Sequence, residues 1–325
     1  MRTQAILFAI AALLAIPAYA EDAGSPALGT SKALSKAAAE VEADLGTIFA
    51  SNVYTKAQYG TGGVGLRNRS SGALNVSNVN KPTKAAFVYW AAITAGAPPA
   101  AVKSVKIQRI APTASAVATV VGTAIGVTSS PCWSGDTTTV YKAAVPLSIA
   151  NGIGTYQITL LAGASGSTTG GDPWYSTQKL PLMEGASLVV VGTGNANVSI
   201  FDKPLAGNMF YGNLTYTLGL PAAATGRNVT FDNIGADGQV GASRDADSVI
   251  SGEVTTINGF QYAGLGGANN DSDWNGAIAG PLPQLWDTTG HQINAAAPAG
   301  TTSLNVSIDA PGDCLVPVAN VVALY

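Results

Sequence analysis

The chain has 325 residues, enough for two ordinary domains or one large sandwich. Charged residues make up 11% and the formal net charge is −3, so no basic patch exists to hold nucleic acid, which is excluded as a partner. One histidine and two cysteines cannot assemble the usual tetrahedral zinc sets.

Residues 1–20, "MRTQAILFAIAALLAIPAYA", combine Arg2, an apolar run from Ala5 to Ile16 and a small-residue ending at Ala18-Tyr19-Ala20. That is the pattern of a secretory signal peptide cleaved before Glu21. The apolar run is shorter than the roughly 20 residues that span a bilayer. The expected product is therefore secreted or periplasmic, with no membrane span, and its net charge becomes −4 when Arg2 leaves.

Residues 21–58 read as an N-terminal helical segment. Within "SKALSKAAAEVEADLGTIFASN", Ser31 can cap and strong helix formers follow. Its apolar residues Leu34, Val41 and Leu45 either pack across one end of a sheet or belong to a loose pro-segment.

Beyond this point short apolar stretches alternate with Gly, Asn, Ser and Pro, the rhythm of hairpins in an all-β protein. Strands are predicted at 86–91, 102–109, 118–121, 139–144, 156–161, 187–191, 197–201, 214–218, 229–233, 253–257, 303–308 and 315–324. The sequence also resembles itself. "TTVYKAAVPLSIANGIGTYQITLLAG" parallels "PQLWDTTGHQINAAAPAGTTSLNVSIDA", and "KAAFVYWAAI" parallels "RNVTFDNIGADGQV" more loosely. The first copy runs on into "EGASLVVVGTG" and the second into "GDCLVPVANVV". This duplication predicts two β-sandwich domains, 59–210 and 211–325. Tyr141 and Trp286 should lie on equivalent strands, with Leu188–Val191 matching Leu315–Val318. Pro317 removes a ladder donor and predicts an edge or a break in the last strand.

Cys132 and Cys314 are the two cysteines. Export permits a disulfide, and with two cysteines there is one pairing; a free buried thiol and a metal pair are the alternatives. A bridge would close a loop worth roughly 5 kcal/mol on the chain-entropy model. It would tie one sandwich to the other across an interface expected to be small and polar.

The blocks "YGTGGVGLRNRSSGALNV", "KAAFVYWAAI", "SPCWSGDTTTVYKA", "EGASLVVV", "NNDSDWNGAIAG", "LWDTTGHQI" and "GDCLVPVANVV" resemble those of a poorly characterised group of secreted bacterial tandem β-sandwich, jelly-roll-like proteins. The resemblance covers Tyr59 to Tyr325. It implies architecture and export, and it carries no catalytic residue.

Chemistry is sparse. His291, in "WDTTGHQIN", reads as a surface residue, and no G-x-S-x-G elbow is present. Beyond residue 58 the only glutamates are Glu184 and Glu253, which form no convincing acid and base pair. In "NNDSDWNGAIAG", Asp271, Asp273 and Asn275 have the alternate spacing of a calcium loop, but position twelve is Leu282 rather than glutamate. The loop is either a weak calcium site, the one cofactor in view, or an Asx-rich turn. Trp133, Trp174 and Trp274 lie in Gly/Asp-rich loops, where an indole either stacks on a ligand or plugs the end of a sandwich. The reading is a non-catalytic secreted binding, adhesive or cell-surface structural protein, with extracellular glycan or a surface protein as partner. The alternative is a carbohydrate-binding module, and a secreted hydrolase comes third.

Overall fold

The computed structural model describes residues 42–129, 136–170, 179–236, 243–244, 250–251, 253–263 and 286–325. These residues are strand and turn, with one short 3-10 turn at Ala100–Lys103. In chain order the strands are β1 (Ala43–Phe49), β2 (Asn52–Gly65), β3 (Ser71–Val76), β4 (Thr83–Ala95), β5 (Ser104–Ala111), β6 (Ala118–Val121), β7 (Thr123–Ser129), β8 (Asp136–Ala144), β9 (Gly154–Leu160) and β10 (Leu182–Thr193). Then follow β11 (Ala196–Phe201), β12 (Phe210–Gly219), β13 (Val229–Ala236), β14 (Ser243–Arg244), β15 (Ile250–Ser251), β16 (Val254–Ile257), β17 (Phe260–Ala263), β18 (Trp286–Gln292) and β19 (Ser303–Leu324). No helix among the described residues is long and apolar enough to cross a membrane.

The helical reading of 21–58 fails where it can be examined. Residues 21–41 lie outside the described residues, but Ala43–Phe49 is a strand that pairs in parallel with β12. Gly46 has φ 65° and takes its backbone N–H to the Asp44 carboxylate, which shifts the register between Asp44 and Thr47. A glycine costs a helix interior about 1 kcal/mol, and the Thr47-Ile48-Phe49 run suits a pleated surface. Burial of Ile48 against β12 favours the strand.

The two halves share one strand order. In the first, β2-β10-β4-β8 are neighbours in one sheet and β3-β9-β5-β6 in another. In the second, β11 pairs with the C-terminal part of β19, which pairs with β13, which pairs with β18. Opposite them β12 pairs with the N-terminal part of β19, then β16 and β17. Each of the eight strands in the first half's two sheets thus has a counterpart in the second, and β19 supplies in one 22-residue strand what β9 and β10 supply separately. Strand β7 extends the first half at its edge, and β1 extends the second.

Hydrogen bonds set the correspondence residue by residue. The Ala86 carbonyl accepts the Val145 N–H, and the Val229 carbonyl accepts the Ile293 N–H. Counting from these anchors, Trp90 opposite Tyr141 corresponds to Asn233 opposite Thr289. Tyr141 and Trp286 therefore occupy equivalent strands but are out of step. Val190 opposite Ala86 corresponds to Leu324 opposite Val229, so Leu188–Val191 matches Val322–Tyr325 rather than Leu315–Val318. Both runs are buried on two faces, and a run without alternation carries no signal to fix its register.

Three cores explain that double burial. Leu188, Val190, Trp90 and Tyr156 fill the first half, while Phe231, Val322, Leu304 and Ile48 fill the second. The third lies between the halves: Tyr89, Val189 and Val191 from one side meet Ile234, Trp286, Val316, Val318 and Val321 from the other. The β2–β11 pairing joins the two inner sheets at their edge, so one long sheet turns back and packs against itself. The interface expected to be small and polar is an apolar core.

Glycines in β2 make this geometry possible and hid the strand from sequence. A Cβ on Gly60 would lie 2.0 Å from the Ser77 carbonyl oxygen, and one on Gly62 would lie 2.1 Å from that of Asn75. The close approach excludes any side chain at either place. Pro317 sits not at an edge but in the interior strand β19, where the ladder to β13 shifts register between Ile234 and Gly235. The Gly207 N–H donates to the Pro317 carbonyl across the gap. The strand neither lies at an edge nor breaks; a register shift in the ladder accommodates the proline instead.

Candidate functional site

Of the residues singled out from sequence, Cys132, Trp133, Trp174, Trp274, Asp271, Asp273 and Asn275 lie outside the described residues. Cys314 is in β19, 4% exposed and opposite Tyr211 of β12. Cys132 belongs to the β7–β8 connection, whose flanks reach the same region. A Cβ on Gly126 in β7 would lie 1.8 Å from the Ala206 carbonyl oxygen, and the Thr138 hydroxyl of β8 lies 3.9 Å from the Met209 sulfur. Residues 206–211 thus bridge the ends of β7 and β8 to the strand that carries Cys314.

The remaining candidates are largely buried, and one of them, His291, also lines the cleft at the junction of the halves. His291 is 9% exposed rather than on the surface, with its ring 6.0 Å from that of Tyr262. Glu253 is fully buried, and Glu184 is buried in an ion pair with Arg67. Trp90 and Trp286 are core, as their apolar surroundings suggest. A second buried carboxylate, Asp202, accepts from Tyr89 at 3.0 Å, from Ser51 and from Lys142. Lys142 also donates to Asn52 at 2.7 Å and lies 4.4 Å from the centre of the Phe87 ring. This cluster ties β2, β4 and β8 to the turn after β11.

A concave polar site does form where the halves meet. Its volume is about 300 Å³, and Tyr59, Thr61, Asn78, Thr230, Asp232 and Tyr325 contribute to its walls. Asp232, 8% exposed, projects from β13 on the face opposite Phe231 and so meets β2 across the junction. The Tyr59 hydroxyl donates to Asp232 Oδ1 at 2.6 Å, and the Thr61 hydroxyl donates to Oδ2. The Thr230 hydroxyl stands 3.1 Å from that of Tyr59. Burial, and next the Asp232 charge, hold the Tyr59 phenol well above its ordinary range, so it stays a donor. The same two causes raise Tyr325.

Gly290 shapes the floor, because a Cβ there would come 2.8 Å from Asp232 Oδ1. Sequence reasoning missed this site. Tyr59 and Asp232 are 173 positions apart, and each reads alone as an ordinary strand or turn residue. The available signal was the duplication itself, since a ligand site between repeats draws on both. No protein-family model matches the chain, and no curated protein matches it significantly. Among the described residues no three His, Cys, Asp or Glu side chains converge as a metal site requires.

Proposed function

We propose that this chain is a non-catalytic exported protein with a binding, adhesive or surface-structural role, built from two jelly-roll sandwiches. The strand orders support the architecture. In each half the first, eighth, third and sixth strands of the eight shared strands form one sheet, and the second, seventh, fourth and fifth form the other, which is jelly-roll order. On this reading β11 opens the second sandwich, and the domain join moves from residue 210 to the turn at 194–195. The leader at 1–20 supports export.

The observation that carries the binding role is the cleft at the junction, a buried carboxylate ringed by hydroxyls on a rigid two-sheet frame. Its chemistry favours glycan among the extracellular partners. When the mature protein is incubated with insoluble cellulose, chitin and peptidoglycan, retention on at least one is expected in the pellet. Failure on all three, together with turnover of chromogenic glycosides, would replace the binding role by a hydrolase.

The disulfide belongs to the same reading. The β7–β8 flanks and Cys314 converge on residues 206–211, which supports a Cys132–Cys314 bridge. Mass spectrometry of a non-reduced digest should show one linked peptide pair containing both cysteines, whereas two freely alkylated thiols in protein taken from its native compartment would refute it. Because the interface is apolar, reduction is expected to lower a single melting transition rather than split it in two.

A further inference from the structure

We propose that the cleft between β2, β13 and β18 binds one pyranose-sized polyhydroxylated ring, with Asp232 as the acceptor at its floor. The inference rests on the exported binding role and names the ligand of that site. The walls carry hydroxyl, amide and carboxylate groups and the imidazole of His291, and among the described residues no lysine or arginine lines them. Such a surface answers a ligand whose perimeter is hydroxyl, since each ligand OH both donates and accepts. Asp232 holds its two oxygens side by side beneath the Tyr59 and Thr61 hydroxyls, and a carboxylate has about four lone-pair sites, so an oxygen that accepts from the protein can also accept from a ring hydroxyl. The charge also makes each such hydrogen bond stronger than a neutral one.

Size and rigidity point the same way. At about 300 Å³ the cleft stands at the lower end of small-ligand sites, so it encloses one ring and leaves the rest of a glycan outside. Its groups are fixed before any ligand arrives. Tyr59 and Thr61 hold Asp232 from the other half of the molecule, and the Asp232 carboxylate leaves Gly290 no room for a side chain. A site seated on strands of both halves holds its geometry better than one on loops. The half-buried phenol of Tyr325 adds apolar area beside its hydroxyl, a combination suited to the mixed faces of a sugar.

The test titrates the whole mature protein with the methyl glycosides of glucose, galactose, mannose and N-acetylglucosamine, read by saturation-transfer NMR, with propylammonium as a competing cation. Saturable binding of at least one glycoside in the millimolar range is expected. Asp232→Asn should weaken it at least tenfold, measured at a temperature where circular dichroism shows the variant folded, and Thr230→Val, a rim change that spares the carboxylate, should weaken it severalfold. Equal binding in wild type and in both variants overturns the proposal, as does displacement by propylammonium, which would mark a cation site. If polysaccharide still retains Asp232→Asn as well as wild type, the glycan-binding role stands and this cleft is not its site. If neither binds any glycan, both fall.

Discussion

Replacing Trp286 by alanine is expected to destabilise the protein by about 3–5 kcal/mol, the usual cost of truncating a large buried aromatic. Its indole is fully buried in the core between the halves. A Cβ on Gly185 of β10 would lie 2.3 Å from the indole Cγ, so the ring fills the space that this glycine leaves open. The indole N–H donates to the Ser187 hydroxyl at 2.8 Å, a bond that the truncation removes while Ser187 keeps its contact with the Thr288 hydroxyl. At a few degrees per kcal/mol for a chain of this size, the melting temperature should fall by roughly 10 °C in one cooperative step. Calorimetry checks both points. A shift of a degree or two, or two separate transitions, would show that the halves fold independently and that the shared core contributes little. The converse change, Gly185→Val, should destabilise from the other side, because the added carbons would have to occupy the indole's position.

Arg67→Met should cost about as much, roughly 3–5 kcal/mol, for an electrostatic reason. The Arg67 guanidinium donates to the Glu184 carboxylate, and both side chains are essentially inaccessible to water. Glu184 falls where the β10–β4 ladder shifts register between Met183 and Gly185, and its carbonyl accepts the Leu66 N–H at 2.9 Å. The pair therefore locks the end of β2 to a bulge in β10. Removing the cation strands a buried carboxylate, whereas removing both charges does not. Arg67→Met with Glu184→Leu should recover most of the loss, and urea unfolding of the two variants measures the difference. A single variant within about 0.5 kcal/mol of wild type, the range of an inert surface change, would show that Glu184 is not compensated by Arg67.

Much of the strand inventory was legible because its signals are local. Ala118–Val121 was read to the residue, and β5, β8, β9, β11, β12, β13 and β16 were found within a few residues of their ends. Two of the strands that escaped, β2 and β7, share a cause. Strand β2 is built on glycines whose purpose is contact with β3, and β7 contains Gly126, which faces Ala206. A glycine chosen for what approaches it looks like a turn when read alone. Strand β1 escaped because the alanine- and charge-rich run just before it favours a helix by propensity, while its pairing partner lies about 170 positions away.

The candidate site was illegible for the same reason. Sequence inspection favours clustered residues, such as the aspartates near 271 and the loop tryptophans. The cleft instead joins Tyr59 and Thr61 to Thr230 and Asp232, which come together only when two sheets pack face to face.

By itself the sequence determined a β-rich chain with two similar halves, because composition and strand rhythm are properties of neighbouring residues. Tertiary structure decided the rest. It decided that β19 would serve both sheets of the second half, and that Val189 and Val321 would be buried in one shared core. It also turned Asp232 of one half toward Tyr59 of the other. A strand's two faces can be told from its own alternation, but what each face meets depends on chain folded far away. Where both faces are buried, as in β10 and the end of β19, even the alternation is gone, and packing alone sets the register.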